Sequence, residues 1–397
     1  MPEKNYILFD DACRDHLLPF TFTRPVAEIR VGIFTIAEKW KQSFNAQTGY
    51  VTADYLSKKY PHKKQAVNWL INGSVLPDPR LVAQVVTLQL NEAIVENDLL
   101  IACCVAGFEV VNGRLQEAEI IRRCRQIPPA TPTRSVRKLT DIFTRNGDAL
   151  KDDYKLVTHK RRSATIFESN RVINRHDIFI EAGAVVEFAY LNASNGPIYI
   201  GKNAEIMEGA MIRGPFALGE GSIVKMGSKI YYPTTIGPYC KVGGELNNVV
   251  MFGNSNKAHD GYLGNAVIGE WCNLGADTNN SNLKNDYSNV KLWNYPAKKF
   301  EDTGLQFCGL MMADHAKCGI NTMFNTGTVV GVFANIFGDG FPRNFIPSFS
   351  WGGAAGFADY KVEKALKVAD LVMKRRGQEL SSVDVEILRH IYALPDR

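Results

Sequence analysis

Aliphatic residues recur every six positions through the middle of this sequence, and that repeat constrains the fold more than any other feature. The positions are Ile200, Ile206, Ile212, Leu218, Val224, Ile230, Ile236 and Val242. A period of six matches neither the α-helix, at about 3.6 residues per turn, nor simple strand alternation, but it is typical of short strands joined by corners in a β-helix. Three hexads would close one triangular coil, so the aliphatic side chains of successive coils stack about 4.8 Å apart in the core.

Small residues and glycines mark the predicted corners. Glycine directly follows the aliphatic residue at positions 201, 219, 237 and 243, and most of the 33 glycines of the chain fall between about 183 and 353. The repeat breaks between Val186 and Ile200 and again after Val242, then resumes at Ile268 and continues from Met312 to Ile336. Both breaks, between Val186 and Ile200 and between Val242 and Ile268, are expected to form external loops. A further stretch, roughly 279–305, is irregular and rich in Asn, Lys and aromatic residues.

The two ends of the chain have other patterns. Before residue 150, short apolar runs alternate with helical patterns near Ile36–Lys41 and Pro79–Leu90, which predicts an α/β domain. After Gly353, apolar residues at helical spacing predict two C-terminal helices. The expected division is therefore an α/β domain over 1–150, a linker over 151–165, a β-helix over 166–350 and C-terminal helices over 351–397.

Composition excludes several classes of protein. With 45% hydrophobic and 22% charged residues, the sequence is that of a globular protein rather than a disordered one. A net charge of +5 is too mild and too dispersed to predict nucleic-acid binding, although it is compatible with small anionic ligands. The longest apolar run, Leu99 to Phe108, is too short to span a membrane, and the eight cysteines form no C-x-x-C pair. A cytoplasmic protein with reduced cysteines is expected.

The hexad array resembles the left-handed parallel β-helix acyltransferases over about 165–340. Within it, the run from Ser255 to Gly269, which contains His259 followed by Tyr262-Leu263-Gly264-Asn265-Ala266, is similar to the acetyltransferase domain of the bifunctional N-acetylglucosamine-1-phosphate uridyltransferase/glucosamine-1-phosphate acetyltransferase family. The similarity continues without gaps to Asn282. It implies a homotrimer that transfers acetyl from acetyl-CoA to an amino-sugar phosphate such as glucosamine 1-phosphate.

The resemblance also implies roles for individual residues. His259 would be the general base and Glu245 the acid that orients it, and imidazole titrates near neutrality as this step requires. Substrate contacts are expected from Lys229, Tyr262, Asn273 and Lys284, and acetyl-CoA contacts from Ala276 and Asn282. The sequence departs from the family pattern at Asn247, where a second sugar-phosphate lysine is expected, and at Leu283, where the family has tyrosine. No resident metal is expected in this domain.

The N-terminal part resembles the sugar-nucleotidyltransferase domain of the same family. The residues that carry the resemblance lie in Leu8–Arg14, Leu18–Thr21, Arg24-Pro25 and Val31–Ile36. It implies nucleotide contacts from Arg14, Arg24 and Asn72, with UTP or dTTP as substrate and Mg²⁺ required if the domain is active. Asp10-Asp11-Ala12-Cys13 replaces the glycine-rich phosphate loop and Ser74 replaces the metal-binding aspartate, so an inactive domain is as compatible with the sequence as an active one.

The sequence is compatible with three alternative functions. The first is acetyl transfer to an amino-sugar phosphate. The second is formation of a UDP- or dTDP-sugar by the N-terminal domain, with the β-helix serving chiefly for trimerisation. The third is a non-enzymatic nucleotide-sugar sensor. Hydration of carbon dioxide at a zinc site is disfavoured, because the paired histidine spacing of the carbonic anhydrases of this fold is absent.

Overall fold

A computed structural model of the chain describes residues 4–395. It divides into two compact units: one contains the residues up to Ile29 together with Phe34–Leu139 and Ser381–His390, and the other contains Arg30–Ile33, Thr140–Leu380 and the remaining C-terminal residues. The α/β domain, the β-helix and the C-terminal helices predicted from the sequence are all present. The exact domain boundaries given above stay predictions.

The first unit is built on a mixed six-stranded sheet in the order β2-β1-β3-β6-β5-β9. The strands of this unit are β1 Asn5–Phe9, β2 Thr48–Val51, β3 Asn68–Asn72, β4 Val75–Leu76, β5 Glu92–Glu96, β6 Leu99–Val105, β7 Val110–Val111, β8 Arg114–Leu115, β9 Arg125–Ile127 and β10 Arg134–Ser135. Outside the six-stranded sheet, β4 pairs with β10 and β7 pairs with β8. β1 pairs in parallel with β2 and β3, whereas β6 runs antiparallel to β3 and β5. The carboxyl ends of β1 and β3 therefore lie side by side, which brings Asp10 and Asp11 close to Asn72.

The helices follow local sequence signals. They are α1 Ile36–Phe44, α2 Pro79–Thr87, α3 Glu117–Arg123, α4 Leu139–Thr144, α5 Asn146–Thr158, α6 Val362–Lys374 and α7 Ser382–Ala393. A capping box of Thr35 and Glu38 begins α1, and the Asp78 side chain caps α2 with Pro79 in its first turn. These are the two helical segments that the sequence pattern predicted in this part of the chain. No helix among residues 4–395 is long and apolar enough to cross a lipid bilayer.

The second unit is a parallel β-solenoid. Two of its faces form one 13-stranded sheet, made of Arg171–Ile173, Ile178–Ile180, Tyr190–Asn192, Ile198–Ile200, Met211–Arg213, Phe216–Leu218, Lys229–Tyr231, Thr234–Ile236, Glu245–Gly253, Tyr262–Glu270, Met311–Met312, Val329–Val330 and Phe345–Ile346. The third face is a 10-stranded sheet of Val185–Val186, Glu205–Ile206, Ile223–Val224, Lys241–Val242, Asn256–Lys257, Asn273–Leu274, Lys317–Cys318, Asn335–Ile336, Ser350–Gly353 and Gly356–Asp359. Asn279–Asn280 and Met323–Phe324 form a separate parallel pair.

The aliphatic hexad positions form the core of the solenoid, as the period predicted. All eight residues from Ile200 to Val242 are buried and belong to one continuous apolar cluster. Two features allow the chain to turn at the corners: a glycine where successive coils approach closely, and a residue in the left-handed conformation. A Cβ at Gly201 would lie 2.8 Å from the backbone nitrogen of Glu220 in the next coil, so close packing of coils requires glycine there. Two residues later Asn203 has the left-handed conformation, with φ of 54°, that turns the chain.

The irregular stretch after Asn280 forms an external loop with an antiparallel hairpin of Lys291–Asn294 and Lys299–Asp302. The external loop expected between Val242 and Ile268 was wrong, because two long strands, Glu245–Gly253 and Tyr262–Glu270, pair in parallel there within the solenoid sheet. The buried face of helix α6 consists of Ala365, Leu366, Ala369 and Met373. At its end, the Arg376 guanidinium donates to the carbonyl oxygen of Tyr239 and to Asn256 Oδ1, at 2.8 Å for the latter. These contacts attach the end of the helix to two successive coils.

Candidate functional site

Three residues singled out by the sequence lie in one outward-facing column of the solenoid. Lys229 pairs in register with Glu245, and Glu245 pairs with Tyr262 on the next strand. Their neighbours Ile230, Leu246 and Leu263 point inward and are buried, so the alternation of the strands directs these three side chains away from the core. An ammonium, a carboxylate and a phenol therefore lie on successive coils, about 4.8 Å apart.

Hydrogen bonds join this column to two further residues. Tyr231 Oη donates to Glu245 Oε1 at 2.5 Å, and the Asn282 amide donates to Tyr262 Oη at 2.9 Å and to Asn265 Oδ1 at 2.7 Å. Burial, the hydrogen bond to Glu245 and the charge of that carboxylate raise the pKa of Tyr231 to about 12. The phenol is therefore protonated at neutral pH and holds the Glu245 carboxylate in place. The resemblance to the acetyltransferase family implied His259, not Tyr231, as the partner of Glu245.

A groove runs along the same face beside Lys229. It has a volume of about 710 Å³ and is lined by Arg213, Lys229, Tyr231 and Tyr232 among others. Within residues 4–395, neither the Arg213 guanidinium nor the Lys229 ammonium forms a hydrogen bond or ion pair. Two uncompensated cations beside aromatic rings can hold a phosphorylated sugar. Arg213 was missed in the sequence, although its position directly after Ile212 in the hexad marks it as outward-facing.

His259 lies at a corner of the solenoid, between the strands Asn256–Lys257 and Tyr262–Glu270. The side chain is exposed, and its imidazole forms no hydrogen bond within the described part of the chain. The neighbouring coil packs tightly against this corner, because a Cβ at Gly244, where φ is +76°, would lie 2.7 Å from the carbonyl oxygen of Gly261. The imidazole is therefore exposed to solvent, while the backbone of this corner packs against the neighbouring coil.

Lys257 holds the same corner from inside. It is almost fully buried and pairs with Val242 in a column of the core that is otherwise apolar around it. Its ammonium donates to the carbonyl oxygens of His259 at 2.6 Å, Asp260 at 2.8 Å and Gly243 at 3.3 Å. Burial lowers the pKa of Lys257 to about 8. The sequence pattern does not mark Lys257 as a core residue, because it falls in the stretch where the six-residue phase is broken.

The remaining residues predicted for the acyl site lie in the coils and the loop that follow this corner. Asn273 lies on the next face, in register with Asn256, and its Oδ1 accepts a hydrogen bond from Asn256 at 3.4 Å. Ala276 is at the corresponding corner of the following coil, and its carbonyl oxygen accepts from the Asn321 nitrogen. Lys284 follows Asn282 in the external loop and donates to the Asn289 carbonyl oxygen at 2.8 Å. The predicted residues thus lie on two faces of the solenoid, at corners of successive coils and in the external loop.

In the first unit, the predicted nucleotide-binding residues contact the protein itself. The buried Arg14 guanidinium donates to the carbonyl oxygens of Thr21 and Arg24 and to Tyr55 Oη, and it lies 3.6 Å from Asp10. Arg24 is also buried. The fully buried Asn72 amide donates to Asp11 Oδ2 at 2.9 Å, and its oxygen accepts from Ser74. Nucleotide contacts from these three residues stay a prediction.

The Asp10–Asp11 pair does not fit a Mg²⁺ site. The two oxygens of Asp10 accept from the Val26 nitrogen and the Thr52 hydroxyl, and those of Asp11 accept from Cys13, Asn72 and Arg137. Burial raises the pKa of Asp10; burial would also raise that of Asp11, but its hydrogen bonds and the Arg137 charge lower it on balance. All four oxygens are already hydrogen-bonded. Among residues 4–395, no group of three or more His, Cys, Asp and Glu side chains is arranged to hold a metal ion.

Comparison with known proteins gives a match to one family model over part of the chain. Residues 6–162 match the family model described as sugar nucleotidyl transferase. The bifunctional protein GlmU of Methanocaldococcus jannaschii is 34% identical over 22% of this chain and 21% of its own length. The bifunctional sugar-1-phosphate nucleotidylyltransferase/acetyltransferase of Sulfurisphaera tokodaii is 32% identical over 36% of this chain and 35% of its own length. The matches thus span about a fifth and a third of these curated relatives.

Among solved structures, the UDP-N-acetylglucosamine acyltransferase of Arabidopsis covers 58% of this chain and 92% of its own, with 16% identity and a TM-score of 0.27. That score is too low to support an argument about function. The family model and the two relatives agree with the resemblance expected from the sequence. Residues 6–162 therefore match a sugar nucleotidyl transferase model, and a parallel β-solenoid follows them in the chain.

Proposed function

We propose that the solenoid transfers the acetyl group of acetyl-CoA to the amine of an amino-sugar phosphate such as glucosamine 1-phosphate. The observation that carries the proposal is the column of Lys229, Glu245 and Tyr262, which is joined through Tyr262 Oη to Asn282. Residues expected to contact the sugar phosphate and the acetyl donor are thereby in direct contact. The likeness to bifunctional nucleotidyltransferase/acetyltransferases supports the same reaction.

The acceptor site follows from the charges on this face. Lys229 and Arg213 line the groove without partners inside the described chain, so a phosphate bound between them would satisfy both cations. Tyr231 and Tyr232 supply the rings against which the apolar face of a sugar packs. The Glu245 carboxylate, held by Tyr231, is placed to accept from a sugar hydroxyl or ammonium.

The chemical step requires a base near the acceptor amine. In the proposed reaction, the amine nitrogen attacks the thioester carbonyl carbon, the His259 imidazole takes the proton from that nitrogen, and the carbon–sulfur bond breaks to release CoA. Hydrogen-bond donors directed at the carbonyl oxygen would stabilise the tetrahedral intermediate. His259 suits the role of base because its imidazole is exposed while Lys257 fixes its backbone. The homotrimer and the cytoplasmic location expected from the sequence remain parts of this proposal.

A substrate panel tests the proposal. Release of free CoA thiol is measured with the full chain, acetyl-CoA, and glucosamine 1-phosphate, glucosamine 6-phosphate or unphosphorylated glucosamine. We expect turnover with at least one of the phosphorylated amino sugars and much weaker turnover with glucosamine, because the groove cations bind the phosphate. Equal rates with and without the phosphate would refute the assigned acceptor site. No thiol release with any amino sugar would refute acetyl transfer.

The family match over 6–162 favours a second candidate function, nucleotidyl transfer from UTP or dTTP to a sugar 1-phosphate. The hydrogen-bonded state of Asp10 and Asp11 argues against a metal-dependent reaction at that position. Pyrophosphate release is measured with each nucleoside triphosphate and N-acetylglucosamine 1-phosphate, with and without Mg²⁺. Mg²⁺-dependent release would establish the activity, whereas nucleotide-sugar binding without release would identify a sensor.

A further inference from the structure

A second groove of the solenoid unit lies beside the external loop. It has a volume of about 620 Å³, and its cations are Lys284, Lys291 and Arg343. No carboxylate is among its lining residues in the described chain. We call this set of residues the basic groove. Its cations come from positions up to 59 residues apart, so only the fold brings them together.

Two of the three cations form no hydrogen bond or ion pair with the part of the chain that the structure describes. Neither the Lys291 ammonium nor the Arg343 guanidinium forms a hydrogen bond or ion pair within residues 4–395, although Arg343 lies over the Phe357 ring at 5.3 Å. Asp302 is the cross-strand neighbour of Lys291 in the hairpin, but the two form no ion pair. Three positive charges around one cavity repel one another, and a bound polyanion would remove that repulsion.

Aromatic rings line the same groove. The Trp293 ring stacks on Phe345 with centroids 4.2 Å apart and planes at 10°, and Phe300 meets Trp293 edge-on at 5.4 Å. The Phe300 side chain is 41% exposed, so it offers a ring to a ligand. Aromatic rings beside lysine and arginine are the combination that binds a nucleotide, since the base stacks and the phosphates pair with the cations.

The basic groove adjoins the proposed acyl site. Lys284 lines the groove, and two residues before it Asn282 donates to Tyr262 Oη. We propose that the basic groove binds a nucleoside carrying at least two phosphate groups. Such a group is present both in CoA, as a 3′-phosphorylated adenosine diphosphate, and in a nucleotide sugar, as a nucleoside diphosphate. Assignment to CoA rests on the proposed acetyl transfer, whereas nucleotide binding does not.

Binding is measured by isothermal titration calorimetry on the full chain with adenosine 3′,5′-bisphosphate, UDP and inorganic pyrophosphate. The test variants are the double substitution Lys291→Gln/Arg343→Gln and the single substitution Trp293→Leu. Trp293→Phe preserves a stacking ring, and Lys202→Gln removes an exposed lysine elsewhere on the solenoid as a matched control. Thermal unfolding checks that every variant is folded.

We expect at least one nucleotide to bind the wild type more tightly than pyrophosphate does. Kd should rise at least tenfold in the double variant and severalfold in Trp293→Leu, with little change in Trp293→Phe or Lys202→Gln. Tighter binding of adenosine 3′,5′-bisphosphate assigns the groove to CoA, and tighter binding of UDP assigns it to a nucleotide sugar. Absence of nucleotide binding at millimolar concentration, or equal binding by wild type and double variant, would overturn the proposal.

Turnover separates this inference from the proposed function. If the groove binds CoA, the double variant should have a raised KM for acetyl-CoA and an unchanged KM for the amino-sugar phosphate. Its rate with acetylpantetheine, a thioester without the nucleotide, should equal that of the wild type. Nucleotide binding that depends on Lys291 and Arg343 in a chain without acetyl transfer would overturn only the proposed function. Acetyl transfer with an unchanged KM for acetyl-CoA in the double variant would overturn only the assignment to CoA.

Discussion

The ammonium nitrogen of Lys257 lies 2.6 Å from the carbonyl oxygen of His259, so a lysine buried in the solenoid core holds the backbone of the proposed catalytic base. The same nitrogen donates to the carbonyl oxygen of Asp260. Because Lys257 is almost fully buried, we assign it as a positioning residue and not as a catalytic one. Its effect on the reaction would come through the placement of the His259 imidazole.

Lys257→Met is therefore expected to lower kcat for acetyl transfer about tenfold or more and to leave KM for acetyl-CoA nearly unchanged. The thioether fills the core space but cannot donate to the carbonyl oxygens. Steady-state kinetics measure the split between kcat and KM. Lys241→Met, which removes an exposed lysine on the neighbouring strand, is the matched control. A folded Lys257→Met protein with wild-type kcat would show that Lys257 does not position His259.

The stability of the solenoid should depend on Lys257 at alkaline pH. Its pKa is about 8 in the folded chain and near its ordinary value of 10.5 when unfolded. Between these values the unfolded chain binds more protons, so the Lys257 contribution to the free energy of unfolding rises with pH and is constant below about pH 8. Denaturant unfolding at pH 7.5 and 9.5 should show this gain in wild type relative to Lys257→Met. A constant difference between the two proteins would contradict it.

The groove cations Lys229 and Arg213 should contribute to binding of the amino-sugar phosphate and not to binding of acetyl-CoA. Lys229→Gln and Arg213→Gln are each expected to raise KM for the amino-sugar phosphate about tenfold, because a charge-assisted hydrogen bond contributes about 1.5–3 kcal/mol. KM for acetyl-CoA should stay within about twofold of wild type. Kinetics with each substrate varied in turn measure both constants. A parallel rise in both would mean that the groove does not separate acceptor from donor.

Glu117 should make the first unit less stable as pH rises through the weakly acidic range. Burial, and then the negative charge of Asp11, raises the pKa of Glu117 to about 7 from an ordinary value near 4.5. The folded chain therefore binds more protons than the unfolded chain between these values, and the free energy of unfolding falls from about pH 4.5 to 7. Glu117→Gln should remove this component, by a few kcal/mol at most, since one pKa unit is about 1.4 kcal/mol. Denaturant unfolding of both proteins at pH 5 and 7.5 measures this component. An identical change in the free energy of unfolding in wild type and Glu117→Gln would contradict the raised pKa of Glu117.

The repeat allowed the solenoid core to be predicted, because each coil repeats one steric requirement at one spacing. Lys257 escaped prediction because it occupies an apolar position where the six-residue phase is broken, and lysine is rarely fully buried in proteins. The hydrogen bond between Tyr231 and Glu245 depends on the register of their two strands, and the sequence alone does not give that register. Lys291 and Arg343 come together through the external hairpin, whose sequence has no period. In the first unit, Arg14 and Asn72 matched a motif by position, but their hydrogen bonds lie within the protein.

The rate of acetyl transfer by His259→Ala is the decisive measurement for the proposed reaction. CoA thiol release is measured at saturating acetyl-CoA and amino-sugar phosphate, with His176→Ala as the control for an exposed histidine on the same solenoid. General-base catalysis contributes about 10²–10⁴-fold, so His259→Ala should lose at least about a hundredfold in kcat, whereas His176→Ala should match the wild type. Equal rates for His259→Ala and the wild type would contradict the assignment of His259 as the catalytic base and the mechanism built on it.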